Sequence, residues 1–249
     1  MPFSPDETIW TDFLNAWPIE RLSKMTLAEY STRGDKDCFV YWMESRLEDF
    51  GSIWGGSAFK FGIYSRRSTT QETAKAGRTY DEQYGWYTKY GSDRTKAFDV
   101  VRRNVVAVAE AARDGRLEAI DDVDLGDTYK WKIAFHYQSR ETPSIVCIFS
   151  PKALAFQAGL PRVDRRIPLS EMYRRVSAGH EPSVSIVAWS ARLWQDWSTK
   201  NPLAITLSAA VLRQGLLKIN LGSSPFPEAM VGGESPDELG DLAPLCQYE

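Results

Sequence analysis

The chain has 249 residues, of which 43% are apolar and 25% charged, and its formal net charge at pH 7 is −3. This composition predicts one main globular domain with an appendage, and the slight negative charge excludes a nonspecific nucleic-acid coat, because the chain as a whole repels phosphate. The sequence contains no apolar run long enough for a membrane helix, and its N-terminus is acidic where a secretory signal is basic. We therefore expect a cytoplasmic protein that does not contact a membrane.

The first part of the chain predicts short helices. Ser4 to Glu7 combine an N-cap serine, a proline at the first helical position and a glutamate that closes a capping box. This helix is expected to end near Trp17, because the residue before a proline avoids the helical region. A second amphipathic piece covers residues 19–30. Residues 1–36 are thus predicted to form a helical lead-in.

The middle of the chain mixes both kinds of element. Apolar spacing predicts a helix over residues 37–50 and alternation predicts a half-buried strand over 57–67, followed by a polar loop over 68–80. Ser92 is the expected cap of the clearest element, a helix of about twenty residues that ends at Asp114 before a glycine.

Two more strands are predicted over residues 128–138 and 144–149, and a short helix begins at Ser150 and Pro151. We predict an α+β fold: a compact mixed domain over residues 37–160 with a small sheet and one long central helix.

The last third of the chain predicts a helical appendage over residues 161–222. Helices are expected over 169–177, 183–197 and 202–214, whereas 216–221 fit a helix or a strand equally well. Residues 223–249 are rich in Gly, Pro, Glu and Asp and are expected to form a flexible tail.

The familiar catalytic and metal-binding motifs are missing from the sequence. The three cysteines lie about a hundred residues apart, and neither His136 nor His180 has a partner at metal-ligand spacing. The chain contains no GxxxxGKS, GxSxG, HExxH or CxxC motif. We predict no catalytic residue, no metal and no cofactor, and therefore a protein that is not an enzyme.

Three segments place aromatic rings beside Lys and Arg: residues 51–67, 84–91 and 129–138. Rings of this kind stack on bases, and the basic side chains neutralise phosphates. Strand alternation predicts that Phe59, Phe61, Ile133 and Phe135 point into the core, with the lysines on the opposite side. The predicted stacking residues are Trp54, Trp86, Tyr87 and Tyr90. The predicted contacts to phosphates or base edges are Lys60, Tyr64, Arg66, Arg67, Lys89, Lys130 and Lys132.

The same segments carry a resemblance. GSIWGGSAFKFGIY, then YGWYTKYG with its long helix, and LEAIDDVDLGDTYKWKIAFHYQ ahead of IVCIFSPKAL resemble an N-terminal region of McrB-type AAA-family proteins, the 5-methylcytosine-directed restriction GTPases. The resemblance covers roughly residues 37–160. In that family this region recognises DNA, often with a modified base, while a separate AAA motor hydrolyses GTP and recruits a nuclease.

The resemblance implies a noncatalytic DNA-recognition module for modified or flipped bases in a McrB-like restriction or antiphage defence system. Its implied partners are DNA, methylated DNA included, and an AAA-family GTPase or ATPase with a nuclease subunit. GTPase activity is not implied for this chain, because its sequence has no phosphate-binding loop.

Two other functions remain open at this point. A tryptophan-rich helix over residues 183–197 suits a protein-interaction adaptor for an AAA motor partner. A run of aspartates before a lysine also suits a metal-dependent nuclease, in which carboxylates hold a divalent cation. The residues in question are Asp121, Asp122, Asp124, Asp127 and Lys130.

Overall fold

The computed structural model of the protein describes residues 7–66 and 77–202. Its contacts divide the chain into one unit within Met1–Trp54 and Ala58–Leu193 and a second within Gly55–Ser57 and Trp194–Glu249. No helix in the described ranges has the length and apolarity needed to cross a bilayer.

Three short helices begin the described chain: α1 Thr8–Ala16, α2 Ile19–Leu22 and α3 Leu27–Tyr30. Helix α1 ends at Trp17, directly before Pro18, which confirms the predicted stop. The predicted capping motif at Ser4 lies outside the described residues. Helix α3 has a full capping box instead: the Thr26 side chain accepts a hydrogen bond from the Glu29 amide, and the Glu29 carboxylate accepts one from the Thr26 amide.

The predicted helix over residues 37–50 is confirmed as a chain of short helical turns. Helix α4, Phe39–Tyr41, continues into a π-helical turn at Trp42–Arg46, and a 3₁₀ turn follows at Glu48–Phe50. Gly51 then ends the helical run with a φ of +91°.

A small antiparallel sheet follows, with strand order β1-β3-β2. Its strands are β1 Ile63–Ser65, β2 Arg78–Tyr80 and β3 Tyr84–Tyr87. The predicted strand over residues 57–67 was too long, because Ala58–Phe61 form a 3₁₀ turn before β1. The predicted loop over 68–80 was also partly wrong, since its last three residues form β2.

The long central helix is α5, Arg94–Arg113, as predicted, and it packs against the sheet and against helices α2, α6 and α7 described below. Its N-cap is Asp93, one residue after the predicted Ser92, and the Asp93 carboxylate accepts a hydrogen bond from the Lys96 amide at 3.0 Å. Together with the small sheet, this helix confirms the predicted α+β class.

Helix α6, Leu117–Asp121, leads into α7, Asp127–Tyr137, where the sequence predicted a strand over 128–138. That prediction was wrong. Every residue of α7 from Tyr129 to Tyr137 is buried, so the helix has no polar face. A helix that is buried all round lacks the 3.6-residue alternation that identifies an amphipathic helix, and its aromatic run resembles a strand.

The predicted strand over residues 144–149 is not a strand in the structure either. Side chains satisfy the backbone of this buried segment in place of a neighbouring strand. The side-chain amide nitrogen of Gln138 donates to the Ile145 carbonyl at 2.9 Å. The side-chain oxygen of Gln138 accepts from the backbone amides of Ser144 and Ile145. The Tyr173 hydroxyl donates to the Ile148 carbonyl at 2.9 Å.

Three helices complete the described chain: α8 Pro151–Gln157, α9 Leu169–Ser177 and α10 Ile186–Lys200. They confirm the predictions for residues 150–159, 169–177 and 183–197. The predicted helix over 202–214, the undecided segment 216–221 and the predicted tail lie almost entirely outside the described residues.

A lysine lies in the middle of this core. Lys132 on α7 is fully buried, and its ammonium donates a hydrogen bond to the Gly51 carbonyl at 2.7 Å. Burial lowers the pKa of Lys132 to about 7, because removing a charge from water is unfavourable. Four groups of the unit act on it electrostatically: Cys147, Glu48, Glu44 and Lys60.

We expect Gly51→Ala to destabilise the protein by about 2 to 5 kcal/mol, because a side chain there adopts a strained φ and meets the backbone of Cys147 and a Phe149 ring carbon 2.8 Å away. Gly34→Ala is the matched control: its φ is +79°, but nothing lies within 4 Å of the added carbon. Urea unfolding should show a loss of only about 1 kcal/mol for the control. Equal losses in both variants would contradict the packing argument.

We also expect the unfolding free energy to rise with pH between 7 and 9 through Lys132. In this pH range Lys132 is still protonated in the unfolded chain, whereas in the folded chain it has lost its proton. The unfolding free energy therefore rises by at most about 1.4 kcal/mol per pH unit. The measurement is urea unfolding at pH 7, 8 and 9. In Lys132→Met the unfolding free energy should rise less with pH than in the wild type. Lys152→Met, which changes an exposed lysine on α8, should keep the wild-type rise. Parallel pH profiles for the two variants would refute this assignment.

Candidate nucleic-acid interface

One face of the sheet collects tyrosine and arginine side chains from all three strands. Tyr64 on β1 and Tyr80 on β2 both pair with Gly85 on β3, and Arg78 pairs with Tyr87. Because side chains alternate along a strand, these positions share one face, and Arg66 joins them two residues after Tyr64. We name this surface the tyrosine-arginine face; its members, all half-buried, are Tyr64, Arg66, Arg78, Tyr80 and Tyr87.

The opposite face of the sheet belongs to the core. Ile63 and Trp86 pair across β1 and β3 and are both buried where the sheet packs on α5. Since that face is fixed by packing, the register leaves the tyrosines and arginines on the outer side.

Gly85 lets the two flanking tyrosines meet over the central strand. A Cβ atom at this position would lie 2.8 Å from Tyr80 Cδ1 and 2.9 Å from Tyr64 Cε1. Real Cβ atoms do not approach so closely, so any other residue would push the rings aside. The glycine therefore shapes the middle of the face.

Phe59 forms the floor under the rings. Its ring is buried and makes edge contacts with Tyr64, at 5.2 Å between centroids, and with Tyr80, at 5.7 Å. A tilted contact with Tyr87 has a centroid distance of 4.9 Å. The sequence placed Phe59 in the core, and the structure confirms this.

The two arginines lie over aromatic rings. The Arg66 guanidinium is 4.8 Å from the Tyr80 centroid and donates a hydrogen bond to the Asp81 carbonyl at 2.8 Å. The Arg78 guanidinium is 4.5 Å from the Phe59 centroid and 6.0 Å from that of Tyr87. Within residues 7–66 and 77–202, the Arg78 guanidinium has ring contacts but neither a hydrogen-bond acceptor nor an ion-pair partner. Its five N–H donors are available to an external anion.

Three other predicted site residues, Lys60, Lys89 and Trp54, are not members of this face. Lys60 donates to the Glu44 carboxylate at 2.9 Å and to the Ile53 carbonyl at 2.6 Å. Lys89 is exposed and pairs with Asp124 at 2.6 Å. Trp54 is 49% exposed in the irregular segment after Gly51. Arg67 lies outside the described residues.

The stacking predictions for Trp86 and Tyr90 were wrong because both side chains are buried. Trp86 is 4% exposed, on the sheet face toward α5, and its indole donates to the Gly91 carbonyl at 3.1 Å. The Tyr90 hydroxyl donates to the Asp124 carbonyl at 2.9 Å. Burial in this core raises the pKa of Tyr90.

The predictions for Lys130 and Lys132 were wrong for the same reason. Lys130 is buried, and its ammonium donates to the carbonyls of Asp121 and Val123 at 2.9 and 3.2 Å. Both lysines lie in the buried part of α7, so their amino groups donate to internal carbonyls. Neither ammonium can reach a phosphate at the surface.

Arg78 and Tyr80 were missed because the sequence placed them in a loop. A hairpin signal was available: alternating residues before and after a three-residue connection predict paired strands. Asp81 makes this connection tight, since its carboxylate accepts from the amides of Gln83 and Tyr84 at 2.8 and 2.7 Å.

Three of the four aspartates behind the nuclease alternative are engaged in separate contacts. The Asp121 carboxylate accepts a hydrogen bond from the Ser170 amide, Asp124 pairs with Lys89, and Asp127 pairs with Lys130. Among the described residues, no three His, Cys, Asp or Glu side chains are grouped so that they could hold a metal ion.

Comparisons with known proteins were made at three levels. Neither the protein-family models nor the curated proteins nor the solved structures include a match to this chain. Function is therefore inferred from the chemistry of the tyrosine-arginine face and from the resemblance of residues 37–160.

Proposed function

We propose that this protein is a noncatalytic DNA-recognition module that binds through its tyrosine-arginine face. The observation that carries the proposal is Arg78: its guanidinium lies over Phe59 and Tyr87 and has no acceptor among the described residues. A guanidinium ordered by rings loses little freedom on binding and matches a phosphate with two parallel hydrogen bonds.

The tyrosines supply the other half of the interaction. Stacking of a base on an aromatic side chain contributes roughly 1 to 3 kcal/mol, and every base offers a flat surface for it. Three half-buried tyrosines lie on the same face as two arginines. Because the chain carries a net charge of −3, binding has to come from this local surface and not from the protein as a whole.

The biological setting is proposed from the resemblance to McrB-type restriction GTPases. It supports a cytoplasmic module of a restriction or antiphage system, whose partners are DNA, an AAA-family GTPase or ATPase and a nuclease subunit. It also supports a modified or flipped base as the ligand. Such a base requires flat rings and polar groups at its edge, and Tyr64, Tyr80 and Arg66 are groups of these kinds.

A second candidate function is a protein-interaction adaptor. Trp194 on α10 is 43% exposed and its ring lies 5.0 Å from that of Trp197. Exposed tryptophan is enriched at protein interfaces, where it gives a large contact area.

We expect Arg78→Gln to weaken DNA binding about tenfold and to reduce the slope of log K against log salt by about one, as for one lost phosphate contact. The measurement is fluorescence anisotropy with labelled DNA at several salt concentrations. Arg113→Gln is the matched control, because it removes the same charge near the far end of α5, roughly 28 Å along the helix from its first residue. Identical salt slopes for wild type and Arg78→Gln would contradict the proposed phosphate contact.

The adaptor function predicts that the chain self-associates through Trp194. Sedimentation equilibrium of the wild type should show a concentration-dependent dimer, and Trp194→Ser should be monomeric because the apolar contact is lost. Arg192→Ser, on the same helix, should behave as the wild type. A wild-type monomer over the whole concentration range would count against a dimer built on this residue.

A further inference from the structure

We infer that the tyrosine-arginine face holds an unpaired DNA strand that crosses the sheet diagonally from Arg66 to Arg78. The inference rests on the proposed DNA-recognition function and specifies its ligand. It follows from where the sheet register places the arginines relative to the tyrosines.

The two arginines lie at opposite corners of the face. Arg66 extends the β1 ladder, since its amide donates to the Gln83 carbonyl at 2.8 Å, whereas Arg78 pairs with Tyr87 at the other end of β3. The arginines are also on the two outer strands, with β3 between them. Strand spacing and rise per residue give a diagonal of roughly 16 Å between their Cα atoms.

The tyrosines lie between these corners. Tyr64 and Tyr80 form a row across Gly85 at the centre of the sheet, and Tyr87 lies next to Arg78. A strand that contacts both arginines with its phosphates therefore passes its bases over the rings. This alternation of positive charge and flat ring is the pattern by which proteins hold single strands.

A duplex uses only half of this surface. Its bases already stack on each other and expose only their edges in the grooves, so the tyrosine faces would find no partner. Unpaired bases can lie on the rings while the phosphates meet the guanidinium groups. The presence of rings between the arginines thus favours a single strand.

Charge on the face complements a polyanion. Near the Arg66 end, the Asp81 carboxylate is held in the turn by the amides of Gln83 and Tyr84 and pairs with Arg94 at 3.5 Å. At the Arg78 end, Lys89 balances Asp124. Arg78 therefore keeps its positive charge without a carboxylate partner within residues 7–66 and 77–202.

The test is fluorescence anisotropy with three labelled probes: a 12-nucleotide oligothymidine, a duplex of the same length and a 12-nucleotide oligouridine. We expect the wild type to bind the single DNA strand at least tenfold more tightly than the duplex. Tyr80→Leu keeps an apolar contact with Phe59 but removes the ring, so it should weaken single-strand binding roughly tenfold and leave duplex binding unchanged. Tyr41→Leu, on α4, should bind as the wild type does.

Circular dichroism would show whether Tyr80→Leu is folded. A second variant tests the same inference independently in case it is not. Gly85→Ala places a carbon against both Tyr64 and Tyr80 and should reduce single-strand binding by displacing their rings. Equal or tighter duplex binding would overturn the single-strand inference and leave DNA recognition standing. Tighter binding of the oligouridine would overturn the choice of DNA. Absence of binding to every probe would overturn the proposed function itself.

Discussion

The structure depends on the burial of helix α7 from Tyr129 to Tyr137. Its side chains and backbone reach the segments around it: Trp10 on α1 donates to the His136 carbonyl at 2.8 Å, and Tyr137 donates to the Trp17 carbonyl. Lys132 holds the Gly51 carbonyl. Buried polar groups require partners, so each of these bonds fixes one segment against the helix. The N-terminal helices and the segment after Gly51 are positioned by a helix far away in sequence.

Burial in this core also determines which titratable side chains are charged and which can reach the surface. Burial lowers the pKa of His136 to about 3, so the imidazole is neutral, with the rings of Trp10, Phe13 and Phe50 around it. Lys130 and Lys132, which the sequence predicted to contact phosphates, donate instead to carbonyls inside the protein. On the tyrosine-arginine face the positive charge comes from Arg66 and Arg78, and arginines remain charged at any ordinary pH.

The sheet connects the core to the proposed site. Its inner face packs on α5 through Ile63 and Trp86, and this packing leaves the outer face to the tyrosines and arginines. Gly85 lets the rings of Tyr64 and Tyr80 lie over the central strand, because it has no side chain of its own to displace them. Function in this proposal depends on a face only three strands wide, held in place by a long helix behind it.

The sequence by itself determined the α+β class, the long helix α5, and the ends of α1 and α9, because capping residues, prolines and helical periodicity act over a few neighbouring residues. It also placed Tyr64, Arg66 and Tyr87 among the candidates. Only the tertiary structure decided that α7 is a helix, since a segment buried on all sides has no periodicity to read. Likewise, only the pairing of distant strands could bring Arg78 and Tyr80 to the face and send Trp86 to the core. Strand register is a long-range property, and a shift of one residue exchanges the two faces.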